Sequence, residues 1–552
     1  MSNLFGIGLS GLGAAQTALA TTSNNISNVN TAGYSRQTTG LSTTLAGNGQ
    51  GGVRVTGVER QYQQYLTSQL NDAQSRSTAI DTHLEQISQI NNLLGDSDAG
   101  LAPLMQQFFA GMQTLAASPA DPAARESLLG DANSMSAQFR AFSEYLGDMG
   151  ESVESQMGGV VEQVNNYAAQ IANLNNQIVQ TEAKTGQTPN NLLDQRDSLV
   201  SAMGELVDVK LSIQDGNSYQ ITIAGQPMVD ANGAKSLRLV DSSADPTRKV
   251  VAFETGGGKQ RELPEDSITG GTLGGLMAFR RDSLEPAQRR LDQLAHTLAA
   301  RVNAVHESGK DLKGDDGQAF FGTASPVSYT NANNLGTATV DAQFVDNGES
   351  VGNDQNDDWD IVRASDYEIA YRGDSNQYEV TRLSDGETKF FDGADMPLSF
   401  GGMTINVDGT PQDGDSYRLK PLERAAASLD VEIKNTSLIA AGKADGGTGD
   451  NRNALALAAL QNESAIDGDT SFNSGYARLV SDIGNKTRSL QVNSSAQQML
   501  TSELETAQQS VSGVNLDEER VNLLYYQQMY QANARVIETA ASLFDSLLGI
   551  RA

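Results

Sequence analysis

Apolar positions recur every seven residues at both ends of the chain. Near the N-terminus they are Phe5, Leu12, Leu19 and Ile26, each followed three places later by Gly8, Ala15, Thr22 and Val29. Near the C-terminus they are Leu516, Leu523, Tyr530, Ile537 and Phe544, accompanied by Tyr526, Asn533, Ala540 and Leu547. A seven-residue period predicts a helix whose apolar face packs against another helix. The candidate assembly-interface residues are therefore Phe5, Leu12, Leu19, Ile26, Leu516, Leu523, Tyr530, Ile537, Phe544 and Leu547.

Helical periodicity also covers much of the first and last thirds of the chain. One apolar stripe runs from Met157 to Ile178 and stops before the loop at Thr185–Pro189, which predicts a helix of about six turns. Further helices are predicted over 61–94, 102–147, 190–205, 282–306 and 453–512. The outer thirds are therefore predicted to be mainly helical.

The middle of the chain changes to a two-residue alternation. Apolar residues alternate over 207–213 and again over 219–223, and the two runs are separated by Asp215-Gly216-Asn217. This pattern predicts a β-hairpin. Similar short runs at 367–371, 378–380 and 403–407, with turns such as Asp408-Gly409, indicate a second block of strands. Small sandwich or barrel modules are expected in both places.

Because helical sequence lies on both sides of the strands, we expect an α+β multidomain fold. Terminal helices form an α-helical coiled-coil or bundle core, and all-β domains are inserted into a helical body. The predicted ranges are 1–32 and 515–552 for a terminal coiled-coil domain, 33–205, 266–310 and 425–514 for a helical domain, 206–265 for a β domain and 311–424 for an outer β domain.

Charge and composition narrow the choice of partners. The 552 residues carry a net charge of −30, which repels nucleic acids and anionic membrane surfaces, so neither is an expected partner. Residues 1–35 contain no charged side chain at all. Adjacent copies of that segment would meet without charge repulsion, so the terminal helices are predicted to mediate self-assembly.

No arrangement of residues predicts catalysis, a cofactor or a metal. There is no cysteine, and the histidines at 83, 296 and 306 are scattered without a companion nucleophile. The glycines of Gly6–Gly11 fit a dinucleotide-binding spacing but lack the preceding strand. The acidic segment Asp311–Phe320 breaks the calcium-loop spacing. The aspartates around Trp359, in the run Asn353–Asp360, are expected to be solvated.

Two terminal stretches carry a resemblance to a known family. Residues 23–37, SNNISNVNTAGYSRQ, resemble the N-terminal signature shared by flagellar rod, hook and hook-associated proteins. Residues 512–519, SGVNLDEE, followed by YQQ at 526–528 and QANARVI at 531–537, look like the matching end of the hook-associated protein 1 family. Between them, DPAAR at 121–125, NLLDQRD at 191–197 and DIGNKT at 482–487 are also similar to that family.

The resemblance implies a structural subunit that connects hook to filament at their junction. It implies export through the flagellar type III apparatus, a cytoplasmic export chaperone at the C-terminal region, and contacts with copies of itself, with the hook protein and with the next hook-associated protein towards the filament. No cofactor and no enzymatic activity are implied. Two alternatives stay open, another axial subunit of the hook or rod type and a secreted glycan-acting enzyme. The enzyme would need a pair of carboxylates in differing environments.

Overall fold

The computed structural model describes residues 2–44, 51–95, 100–255, 258–345 and 359–549. Its two terminal helices pack antiparallel along each other, as the seven-residue periods predict. A two-stranded hairpin lies beside this pair and contacts its N-terminal helix. These elements are α1 (Ser2–Ser27), β1 (Gln37–Thr43), β2 (Val53–Arg60) and α11 (Leu516–Gly549).

A body of helices follows, most of them packed around one large apolar core. A short π-helical turn, Arg280–Leu284, joins two of them. The helices are α2 (Gln64–Leu94), α3 (Leu101–Ala117), α4 (Pro122–Thr185), α5 (Asn190–Leu206), α6 (Gly271–Phe279), α7 (Glu285–Glu307), α8 (Ala425–Ser428), α9 (Arg452–Ala459) and α10 (Phe472–Ser512). α2 and α10 extend as an antiparallel pair towards the terminal helices.

The longest helix, α4, differs from the prediction. The sequence suggested one helix over 102–147 and a separate one over 157–178, whereas α3 ends at Ala117 and α4 runs unbroken for 64 residues. Asp121 caps the start by accepting the amide N–H of Ala123, and Pro122 occupies the first turn, where its missing N–H costs nothing. The predicted C-terminal stop is confirmed, since Gly186 adopts the left-handed conformation with φ 66°.

The inner β block contains two small antiparallel sheets, and the predicted hairpin forms with Leu211 opposite Ile221 and Ile213 opposite Tyr219. Asn175 of α4 holds Tyr219 by two backbone hydrogen bonds of 2.8 and 3.0 Å. Tyr219, Ile221 and Ile223 join the core of the helical body. The strands are β3 (Lys210–Gln214), β4 (Ser218–Ile223), β5 (Gln226–Asp230), β6 (Gly233–Ala234), β7 (Leu237–Asp241), β8 (Lys249–Thr255) and β9 (Lys259–Glu262).

The outer β block has a core of its own. One sheet has the order β10-β17-β12-β13-β14 and the other β11-β16-β15. Tyr367, Ile369, Val380 and Ile405 are among the side chains buried in this second core, which is separate from the first. The strands are β10 (Val327–Thr330), β11 (Thr339–Phe344), β12 (Tyr367–Arg372), β13 (Gln377–Arg382), β14 (Thr388–Asp392), β15 (Leu398–Phe400), β16 (Met403–Asp408) and β17 (Ser416–Lys420). The α+β multidomain prediction is confirmed.

Candidate assembly interface

The face of α1 that packs inward consists of small residues. The buried residues of this face are Gly8, Gly11, Ala14, Ala15, Ala18, Thr21, Thr22 and Asn25. At Gly8 a Cβ atom would lie 2.8 Å from Cγ1 of Ile537, and at Gly11 it would lie 2.3 Å from Oδ1 of Asn533. The α1 backbone therefore approaches α11 more closely than larger residues would allow.

The predicted interface residues lie at the flanks of this contact. Leu12, Leu19, Ile26, Leu523 and Ile537 are half-buried between the terminal helices and their neighbours. Four others are largely exposed, namely Phe5, Leu516, Tyr530 and Phe544. The side chain of Leu547 lies outside the part that the structure describes. Their role in contacts between copies stays a prediction.

A second apolar surface lies on one side of α11. Val521, Leu524 and Tyr525, at positions i, i+3 and i+4 of the helix, are 66%, 59% and 57% exposed. We call these three residues the outward face. The sequence analysis missed them because they fall outside the seven-residue period. Only their run of large side chains could have revealed them. Exposed apolar side chains grouped on one face of a helix are typical of a contact surface.

A polar cluster, Asn25, Tyr34, Arg36 and Glu519, joins the two terminal helices near the hairpin; we call it the terminal clasp. Glu519 is 2% exposed, and its carboxylate accepts hydrogen bonds from Arg36 Nε at 2.8 Å and Asn25 Nδ2 at 3.1 Å. Tyr34 donates its hydroxyl to Asn25 Oδ1 at 2.8 Å. Burial, with smaller effects from Asp194 and Glu519, raises the pKa of Tyr34 to about 12, which keeps this donor protonated.

A second polar cluster links the clasp to the helical body. Arg60 at the end of β2 pairs with Asp194 at 2.9 Å and Asp197 at 2.6 Å, both on α5. Asp194 also accepts the backbone N–H of Ser35. Burial raises the pKa of Asp194 against the opposing hydrogen bonds from Arg60 and Ser35. The NLLDQRD stretch therefore anchors the segment that follows α1.

Two of the motifs set aside in the sequence have structural roles. Gly6–Gly11 lies inside α1. Asp311 Oδ1 accepts the backbone N–H groups of Lys313 and Asp315, an acidic turn as expected. Over the described ranges, no group of three or more histidine or carboxylate ligands comes together around a point that could hold a metal. Residues 353–358 of the acidic run lie outside the described residues.

A cleft of about 1270 Å³ lies where α4, α7 and the two β blocks meet. Its floor includes Asp292, whose carboxylate accepts the N–H of Ala426 and whose pKa burial raises to about 7. Arginines pair with several of the surrounding acids, as Arg248 does with Glu265 at 2.6 Å and Glu285 at 3.0 Å. Ion pairs of this kind hold domains together.

The segment Leu4–Ser27 of α1 is, within the described residues, the one helix long and apolar enough to cross a membrane by length and composition. Its small residues pack against α11 and the hairpin. The apolar composition of α1 is therefore used inside this fold.

Comparisons with known proteins cover the whole chain. Residues 87–321 match the family described as flagellar hook-associated protein FlgK helical domain, and 329–421 match the D2-like domain of flagellar hook-associated protein 1. Residues 5–34 match the flagella basal body rod protein family, and 507–550 match the flagellar basal body rod FlgEFG protein C-terminal family. The rod-type profiles thus cover the terminal helices and the short segments that adjoin them.

Individual relatives agree with these profiles. Flagellar hook-associated protein 1 of Salmonella typhimurium is 43% identical over 567 aligned residues, covering 100% of both chains. The protein of that name from Bacillus subtilis is 25% identical over 97% of this chain and 96% of its own.

A solved structure is also similar, that of the flagellar hook junction protein FlgK from Burkholderia pseudomallei. It aligns with a TM-score of 0.74 at 28% identity, covering 81% of this chain and 100% of that one. With the family profiles over both blocks of the middle, and a 43% identical relative matched from end to end, the chain belongs to the flagellar hook-associated protein 1 family.

Proposed function

We propose that this chain is a structural subunit of the bacterial flagellum that joins hook to filament by assembling with copies of itself. The outward face carries this proposal. It is an exposed apolar surface on a helix that is otherwise held by its own chain, and none of the described residues covers it. Neighbouring copies, the hook protein below and the next hook-associated protein above would cover it. The relatives are named hook-associated and hook junction proteins, which supports a place between hook and filament.

Before assembly the same surface would need protection. Export through the flagellar type III apparatus, with a cytoplasmic chaperone bound at the C-terminal region, fits the exposed apolar side chains of α11. The net charge of −30 supports partners other than nucleic acid or an anionic membrane. The ion-paired acids of the large cleft favour a structural role over glycan hydrolysis, and we propose that the chain has no catalytic activity and needs no cofactor.

The outward face can be tested by Leu524→Asp, with Gln527→Asp on an exposed polar position of the same helix as the matched control. Burying a leucine side chain contributes about 1.5–3 kcal/mol at each contact, and an unpaired charge there costs more. We expect Leu524→Asp cells to secrete the protein at normal levels but to lack filaments in electron micrographs. Gln527→Asp cells should swim. Normal filaments in the Leu524→Asp strain would overturn the proposal.

Leu523 and Ile537 test a different contact. Both are half-buried, and Ile537 lies directly against Gly8. An aspartate at either position would disturb the pairing of the terminal helices inside one chain before any second copy is met. Loss of assembly in those variants would therefore not show which residues form the contact between copies.

A further inference from the structure

The contact between α1 and α11 is only partly specified by shape. On the α1 side its residues are small and recur every seven positions, at Gly8, Ala15 and Thr22 and again at Gly11 and Ala18. Sliding α11 by one period would bring similar small residues opposite it. Helix pairs with such uniform seams rely on a buried polar residue to fix their alignment.

The terminal clasp supplies that polar residue. Glu519 reaches Asn25 across the seam, and the same Asn25 also exchanges hydrogen bonds with the backbone of Gln37, accepting at 3.0 Å and donating at 2.9 Å. Arg36 contacts Glu519 through Nε and donates its backbone N–H to Ser512 at 2.8 Å. The carboxylate, the amide and the guanidinium are thus held by segments that continue directly into both helices.

A slip by one period in either direction would break the clasp. In one direction Glu519 would face Ala18, a buried residue with no polar side-chain atom. A buried carboxylate without its partners is strongly unfavourable. In the other direction Glu519 would lie beyond Ser27, where α1 ends, and Ile537 would meet Ala15, whose Cβ fills the space that Gly8 leaves open. Shape therefore opposes the second slip, and the clasp opposes the first.

We propose that the terminal clasp sets the register of α1 on α11 and directs α1 to the α11 of its own chain. Two short connections favour pairing within the chain. Residues 513–515 alone separate α10 from α11, and α10 is already paired with α2 of the same chain. Residues 28–36 link α1 to Arg36, and Ser35 beside it is hydrogen-bonded to Asp194 of the body. This inference does not depend on the proposed function.

Cysteine pairs can report the register, because the chain contains no cysteine of its own. Gly8→Cys with Ile537→Cys places two side chains within bonding distance in the register of the structure. Ala15→Cys with Leu523→Cys bonds only after the one-period slip that places Glu519 opposite Ala18. Each pair is made in the otherwise unchanged full-length chain, in a Glu519→Ala background and in a Glu518→Ala background. Glu518 is the matched control, since it also pairs with Arg36 at 2.8 Å but is 58% exposed.

In the unchanged and Glu518→Ala backgrounds we expect the 8/537 pair to oxidise to a species with monomer mobility on a non-reducing gel, and the 15/523 pair to stay reduced. Glu519→Ala should shift the ratio of the two products at least about tenfold towards the slipped pair, which corresponds to about 1.4 kcal/mol. Thermal unfolding of the helical body should be the same in all backgrounds.

Three results would overturn the inference. The first is an unchanged ratio in Glu519→Ala. The second is an 8/537 product of dimer size, which would show pairing between copies. The third is no cross-link from the 8/537 pair in the unchanged background, which would show that the register is not held.

Discussion

His306 illustrates how a buried titratable side chain serves the fold. Its Nδ1 lies 2.6 Å from the carbonyl oxygen of Gln318, so Nδ1 carries the proton and donates it. Its Nε2 accepts the N–H of Ala440 at 2.8 Å. Burial lowers the pKa of His306 to about 4, and it lowers those of His83 and His296 to about 4 as well. All three are buried histidines that are neutral at pH 7.

These pKa values predict acid sensitivity. The pKa of a histidine in the unfolded chain is about 6.5, so between pH 6.5 and 4 the unfolded state binds more protons than the folded state. Above pH 6.5 the histidines are neutral in both states and do not lower the free energy of unfolding. As the pH drops from 6.5 towards 4, that free energy falls, by about 1.4 kcal/mol per unit of pKa difference. We expect the melting temperature to fall over this range, and to fall less steeply in His306→Gln. Equal slopes for the two proteins would contradict this account.

Gly275 lies where the backbones of α6 and α2 approach closely, so a larger residue there is predicted to destabilise the fold. A Cβ atom there would lie 2.5 Å from the carbonyl oxygen of Ala79, so α6 could no longer pack on α2 without moving. We expect Gly275→Ala to lower the free energy of unfolding by about 1–3 kcal/mol. Gly159, on the exposed side of α4 with open space around it, is the control, and Gly159→Ala should add about 0.5–1 kcal/mol. Urea unfolding of both variants measures the difference, and equal values would refute the packing argument.

At the scale of whole elements, the α2–α10 pair changes character along its length. Near the body its seam is apolar and aromatic, with Ile90 of α2 and Tyr476 and Ile483 of α10 buried. Towards the terminal helices it is held by polar contacts, for example Gln508 to Thr67 at 3.1 Å and Gln497 to the carbonyl of Ala73 at 3.0 Å. A hydrogen bond that replaces one to water contributes less to stability than the burial of an apolar side chain. The pairing of α2 with α10 is therefore weaker towards the terminal helices.

Hydrogen exchange should detect this gradient. We expect the backbone amides of residues 494–512 to exchange at least about tenfold faster than those of 476–490 in the monomer, because local opening exposes few apolar side chains there. Uniform protection along α10 would show that the polar contacts are as strong as the apolar ones.

The helices also show where sequence patterns stop being informative. The caps of α4 could be predicted, since Asp121 before Pro122 and Gly186 after the last turn are local signals. Its continuity could not, because four glycines between 147 and 159 lower intrinsic helix propensity and only packing against α7 and the inner β block overrides them. The terminal clasp was equally hidden. Asn25 and Glu519 are 494 positions apart, and no periodicity connects them.

At the scale of the whole molecule, the two β blocks are attached differently. The inner block contributes Tyr219 and Ile221 to the core of the helical body, whereas the outer block has its own core. The outer block meets the rest through a few contacts, such as Lys420 with Asp245 at 2.7 Å and Gln293 with the carbonyl of Val362 at 3.1 Å. The domain ranges 206–265 and 311–424 stay predictions, and the shared core indicates that the first is the less independent of the two.

Deleting residues 330–420 should therefore remove one unfolding transition and leave the other within a few degrees. The ends of the deletion lie close together, because Val327 pairs with Lys420 across β10 and β17. Calorimetry measures this directly. Removing residues 210–262 of the inner block is the contrasting variant and should destabilise the whole helical body. Filaments should still form with the first deletion, and loss of the helical-body transition there would show that the outer block is structurally required.

The two terminal helices, α1 and α11, come from opposite ends of the chain. Every element from β1 to α10 lies between α1 and α11, so a chain severed anywhere in that stretch yields no fragment with both helices. A truncated chain that ends within that stretch lacks α11 and with it the outward face, Val521, Leu524 and Tyr525. Under the proposed function, assembly at the junction therefore selects subunits that were synthesised through to their last helix.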